Sequence, residues 1–125
     1  MWRGTILALG GLLLSFAPAW AVGPIIGSAC RISWIAPTTN ADGTPLTDLA
    51  GYRVYIGTAP GVYGVATATV VQPATTWPCG TLSNGQKYAV VTAFDLAGNE
   101  SVRCSELPFV LDTIAPAAPS GVGIQ

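Results

Sequence analysis

The sequence predicts an all-β fold, two sheets packed face to face in a sandwich of about seven antiparallel strands, and three observations predict it. Short segments alternate apolar and polar residues with period two, as half-buried strands do. Clusters of Gly, Pro, Asn and Asp punctuate them at close spacing. Beyond the first residues, no window carries a competing helical period.

The elements follow in order. Residues 1–21 read as a signal peptide: Arg3 is the positive n-region, Ile6 to Phe16 the apolar stretch, and Ala19-Trp20-Ala21 the small-residue cleavage site. A permanent anchor is the competing reading, but it needs about 20 uninterrupted apolar residues, and Pro18 interrupts this run. A lipid anchor on Cys30 is a third reading, opposed by Gly27 and by the distance of Cys30 from the apolar run. Removing 21 residues leaves 104, about the size of one seven-strand sandwich.

Residues 22–112 form the predicted domain. Cys30, Ile32 and Trp34 alternate with Arg31, Ser33 and Ile35 until Pro37 stops the strand. Thr38 to Asp48 holds Asn40, Asp42, Gly43 and Pro45 and reads as a long loop. Gly51 to Gly57 is the next strand, with Tyr52, Val54 and Ile56 on one face and Arg53 and Tyr55 on the other. Val65 to Val71 and Thr75 to Cys79 follow as strands, the first rich in Val and Thr. Ser83-Asn84-Gly85 is a turn whose Asn and Gly tolerate positive φ, and Lys87 to Phe94 is the most β-prone stretch. Ala97-Gly98-Asn99 turns it back into a last strand, Val102 to Leu111, where Pro108 implies an edge or a bulge. Residues 113–125, with Pro116 and Pro119 among alanines, read as a stiff linker or tail.

Composition narrows the function. Five basic and six acidic residues leave no electrostatic footprint for nucleic acid or an anionic membrane. The chain has no histidine, the usual proton-transfer group near neutral pH and the commonest metal ligand. Asn40-Ala41-Asp42-Gly43 offers only two side-chain ligands over a short span, whereas a calcium site needs six or more oxygens. Asn99-Glu100-Ser101 fits the glycosylation acceptor pattern, but the turn after Phe94 is the preferred reading of these residues. No nucleophile has a base beside it in sequence, and paired carboxylates for glycoside hydrolysis would need a cleft that so small a module does not offer. The expectation is therefore a protein without catalytic, cofactor or metal residues.

Three segments together resemble the fibronectin type III family, in particular modules of secreted bacterial proteins. They are Ser33-Trp34-Ile35-Ala36-Pro37 through Leu46, Leu49-Ala50-Gly51-Tyr52-Arg53-Val54-Tyr55-Ile56-Gly57, and Thr92-Ala93-Phe94-Asp95-Leu96-Ala97-Gly98-Asn99-Glu100-Ser101. The match runs from about Arg31 to Leu111. The resemblance implies an immunoglobulin-like sandwich with strands A, B and E facing C′, C, F and G, a short or missing strand A, and Trp34, Tyr52, Val54, Leu82 and Val91 in the core. At the position of the family's core tyrosine this chain has Lys87, with Tyr88 one residue later. A bulge there would turn Tyr88 into the core; without one Tyr88 points outward.

Within that topology strand B begins and strand E ends at one pole, which brings Cys30 and Cys79 together. A bridge between them would close a loop of about 50 residues and add roughly 3–4 kcal/mol; the same cysteines also suit buried thiols packed as small hydrophobes. Cys104 is left as a free thiol or a handle for dimerisation. If the family register holds, Tyr55, Tyr88, Val90 and Phe94 form an apolar stripe on the outer C–F–G face, a candidate surface for a partner; a bulge or covering loops would remove it. The function implied is a secreted, periplasmic or cell-surface module for protein interaction, spacing or surface structure, binding through that face or through the loops after Trp34 and Phe94. The alternative is an accessory carbohydrate-binding module with polysaccharide as partner.

Overall fold

The computed structural model describes residues 23–125, so the expected signal peptide, residues 1–21, lies outside the described residues. Seven strands and no helix are found among the described residues: β1 Ile25–Ile26, β2 Arg31–Ser33, β3 Leu49–Gly57, β4 Ala68–Val71, β5 Thr76–Pro78, β6 Gly85–Asp95 and β7 Leu107–Leu111. They form a five-stranded sheet in the order β1-β7-β6-β3-β4 and a two-stranded sheet, β2-β5. All pairs are antiparallel except β1 with β7. The fold is thus the all-β, two-sheet sandwich the pattern predicts.

The central ladder joins the two longest strands, β3 and β6, from Leu49↔Asp95 to Gly57↔Tyr88, with one register shift between Leu49 and Gly51. Period-two facing then sorts the side chains. Tyr52 and Val54 of β3 and Ala89 and Val91 of β6 enter the buried cluster, where Cys30, Ile32, Cys79, Phe109 and Leu111 meet them. Trp34 and Leu82 are half-buried and pack against that cluster. Each fully buried Val, Leu or Phe is worth roughly 1.5–3 kcal/mol of transfer free energy, so this inter-sheet contact is the main source of stability.

Cys30 and Cys79 form a disulfide with Cα atoms 5.1 Å apart. The backbone bond from Cys79 N–H to Cys30 O, 3.1 Å, sets the two residues opposite each other, so the staple lies within the smaller layer.

Two expectations are corrected and one open alternative is decided. Strand A does not complete a layer with B and E. Its remnant β1 lies parallel to β7, Ile25↔Val110 and Ile26↔Leu111, on the edge of the larger sheet. The cause is steric as well as hydrogen-bonded: a Cβ on Gly23 would sit 2.1 Å from the Pro108 carbonyl oxygen, so only glycine permits that approach. The last strand begins at Leu107 rather than Val102, because residues 101–106 carry extra length relative to β6. Lys87 is buried, 6% exposed, and rests its ammonium on Ser83 Oγ at 3.0 Å, while the β6 ladder runs through 87 and 88 without a register shift. No bulge turns Tyr88 inward.

Candidate protein-interaction site

The outer face of the larger sheet carries Tyr88, Val90, Thr92 and Phe94 of β6 beside Gly57, Tyr55, Arg53 and Gly51 of β3. As a bare stripe it does not exist. Tyr88 is 8% exposed and Val90 3%, and Tyr55 and Phe94 are half-buried. The loops after β3 and β6 cover them. Ser101 N–H bonds to Ala93 O at 2.8 Å and Cys104 N–H to Val91 O at 3.1 Å, which holds the β6–β7 connection alongside β6. Gly57 lets the other loop close over the sheet, since a Cβ there would meet the Val62 carbonyl oxygen at 2.2 Å and the Tyr63 ring at 3.2 Å.

The cover is a lattice of charges and rings. Glu100 accepts hydrogen bonds from Arg53 Nη1 at 2.8 Å, from Thr92 Oγ1 at 2.6 Å and from the Tyr55 hydroxyl. These donors hold the Glu100 carboxyl below its ordinary range, the Thr92 and Tyr55 hydroxyls first and Arg53 after them. The Arg53 guanidinium lies 4.2 Å from the Phe94 ring centroid. That of Arg103 sits 4.9 Å from the Tyr63 ring and 5.6 Å from Tyr55. Glu106 accepts from Gly61 N–H at 2.7 Å and from the Tyr63 hydroxyl. Desolvation, then the Glu106 bond and charge, push the Tyr63 phenol up to about 12. Arg53, Tyr63, Glu100, Arg103 and Glu106 were not singled out in the sequence as a site. Their one signal was charge in the segment after Phe94, opposite a sheet face that alternation fills with aromatics.

At the pole where the Trp34–Asp48 and Asp95–Glu106 loops meet, the surface opens. The first loop closes on itself through the Thr39↔Pro45 bridge, with Asp42 Oδ1 accepting from Thr44 N–H and Oγ1 at 3.0 and 2.6 Å. Asp42 is thus engaged as a turn residue. Leu96 N–H bonds to Asp48 O at 2.9 Å and ties the two loops together. Between them runs a groove of about 220 Å³ lined by Pro37, Asn40, Leu46, Leu49, Phe94 and Asn99, among others. A second groove, about 300 Å³, adjoins it and shares Pro37, Ala93 and Ser101. Its walls include Trp34, Ile35, Tyr52, Val91, Val102 and Cys104. Ile35 and Val102 are 95% and 90% exposed, apolar side chains held in water at its rim. Trp34 Nε1 and the Tyr52 hydroxyl, on two residues that line it, are buried without a hydrogen-bond partner among the described residues.

Cys104 is a free, exposed thiol whose sulfur lies 3.2 Å from Val91 N. Among the described residues no three His, Cys, Asp or Glu side chains are grouped to hold a metal ion, and no helix is long and apolar enough to cross a membrane.

No protein-family model matches this chain, and no curated protein sequence does. Among solved structures, the chain is similar to the crystal structure of a Fn3-like protein from Clostridium thermocellum, at 20% identity and a TM-score of 0.52, over 74% of this chain and 88% of that one. That likeness, with the two-sheet architecture, makes the fold Fn3-like.

Proposed function

We propose that the protein is a secreted or cell-surface β-sandwich module without catalytic activity, whose role is protein interaction, spacing or surface structure. The observation that carries this reading is the second groove: an apolar rim, Ile35 and Val102, beside two buried polar groups with no partner among the described residues. Exposed apolar groups flanking a concave, incompletely satisfied surface are what a docking protein covers. Export is supported by the signal-like residues 1–21 and by the Cys30–Cys79 disulfide, a bond that persists in oxidising compartments. The same reading gives exposed Cys104 the role of an intermolecular bridge, which a non-reducing gel would reveal as a dimer.

The carbohydrate-binding alternative draws no support from the surface. The exposed large hydrophobics among the described residues, such as Ile35, Val65, Leu96 and Val102, are all aliphatic, and a sugar platform needs flat aromatic rings. The test is affinity capture from culture supernatant with the exported chain and with an Ile35→Glu, Val102→Glu bait. A partner recovered only by the unaltered bait supports the reading; equal recovery by both baits removes the groove from it.

A further inference from the structure

We propose that the free edge of β2 is a strand-docking site, and that its occupant is the 113–125 segment of a second copy of this chain. This deepens the interaction reading above and rests on it.

The edge is open by topology. Among the described residues β2 pairs with β5 alone. The bonds from Cys79 N–H to Cys30 O and from Trp34 N–H to Thr75 O, 3.1 and 3.0 Å, show which peptide groups face β5. They are those of alternate residues Cys30, Ile32 and Trp34, so Arg31 and Ser33 turn their N–H and C=O groups to the opposite side. The place a first strand would take beside β2 is vacant because β1 pairs with β7 instead. The outer edge of β5 is different. Pro78 stands opposite Arg31, its nitrogen on the side away from β2, and proline has no N–H to offer an incoming strand. The small layer can therefore grow on one side only. That side ends at Trp34 and Ile35, on the wall of the 300 Å³ groove.

The 113–125 segment has the properties of the missing strand. It carries no charged residue, forms no strand, and is exposed throughout. Val122 and Ile124 are 93% and 98% exposed, and two residues apart in an extended chain they fall on one face. Pro116 and Pro119 stiffen the approach and confine pairing to residues 120–125.

A second copy is favoured over the chain's own segment by direction. Asp112 N–H bonds to Ile26 O at 2.9 Å, which roots the segment beside Gly27, at the end of the sandwich where β2 begins. Folded back onto its own β2 it would run parallel to it; from a second copy it runs antiparallel, like β5, the more stable pairing per residue. The seven residues 113–119 ahead of the pairing stretch span roughly 24 Å when extended, enough to cross between two domains packed side by side. Donor and acceptor are different surfaces, so the contact either closes as a reciprocal pair or propagates head to tail.

The experiment is sedimentation of the purified exported chain over a concentration series, beside a Val122→Asp, Ile124→Asp chain and a Ser33→Pro chain. Ser33→Pro removes an outward N–H while sparing the bonds to β5. A synthetic peptide of residues 113–125 is the competitor, and a denaturing gel separates this contact from a Cys104 disulfide. The expected result is self-association that each variant weakens by at least about tenfold in dissociation constant, and that excess peptide suppresses. A chain that stays monomeric throughout, or one whose association ignores both the substituted segment and the peptide, overturns the proposal. Should Ser33→Pro fail to fold, the 122/124 variant and the peptide decide alone. Either failure leaves the groove as a site for a different protein, which the capture with the Ile35→Glu, Val102→Glu bait judges separately.

Discussion

The Trp34 and Tyr52 rings meet edge to face between the two layers, their centroids 5.1 Å apart and their planes at 60°. Their apolar bodies fill the core while the indole N–H and the phenol hydroxyl find no acceptor or donor among the described residues. Leaving such a group dry costs about 1–3 kcal/mol, and deleting a whole buried aromatic costs about 3–5. Tyr52→Phe is therefore expected to leave stability unchanged or raise it by about 1 kcal/mol, and Tyr52→Ala to lower it by at least 3. Urea unfolding measures both; a clear loss for Tyr52→Phe would mean that the hydroxyl is hydrogen-bonded in solution.

The Cys30–Cys79 bond spans 49 residues of sequence. Replacing both cysteines with serine frees that loop in the unfolded chain and is expected to cost about 3–4 kcal/mol, read as a lower denaturation midpoint. Thiol titration of the native protein should count one reactive group, Cys104, and three after reduction in denaturant.

Glu100 sets a pH dependence. Its carboxyl ionises below the ordinary 4.5 in the folded chain, so between the two values the unfolded chain binds more protons. Stability from this group is complete above about pH 4.5 and disappears as pH falls through the folded-state value. Glu100→Gln should flatten the acid limb of the stability curve without abolishing it, because Asp42, Asp95 and Glu106 are also held low by their own hydrogen bonds. An acid limb identical to that of the unaltered chain would remove Glu100 from this role.

Tyr63 acts at the opposite extreme. Its folded value of about 12 exceeds the ordinary 10, so its contribution is complete below pH 10 and is lost as pH climbs toward 12. Tyrosinate absorbance should show a late phenol in the native chain. Tyr63→Phe should remove the latest part of that phase and Glu106→Gln should shift it downward, while the Tyr55 phenol, also raised by its hydrogen bond to Glu100, still titrates above the ordinary value.

Alternation made the layers legible. In 87–94 it separates Ala89 and Val91 from Tyr88 and Val90, and the structure places the first pair in the inter-sheet cluster and the second on the outer face. What covers that outer face was not legible, because its cover comes from residues remote in sequence. Tyr55 and Glu100 are 45 positions apart, Tyr63 and Glu106 43, and neither pair belongs to any local period. The switch of β1 to the other sheet was equally hidden. Two residues, Ile25 and Ile26, are too few for a pattern, and their partner is chosen by the fit of Gly23 against Pro108. The grooves at the pole were anticipated only as loops after Trp34 and Phe94; their shape depends on the Leu96–Asp48 bond between them.

The parallel pairing of β1 with β7 also decides how the module bears load. The chain enters beside Pro108 and leaves after Leu111, at opposite ends of one short ladder. Tension applied through the two chain ends therefore loads the bonds from Val110 N–H to Pro24 O and from Asp112 N–H to Ile26 O in shear, together rather than one after the other. Once they slip, the staple at residues 30 and 79 keeps everything between them from paying out. Further extension must then come from outside the staple, from the strands β6 and β7 that follow Cys79.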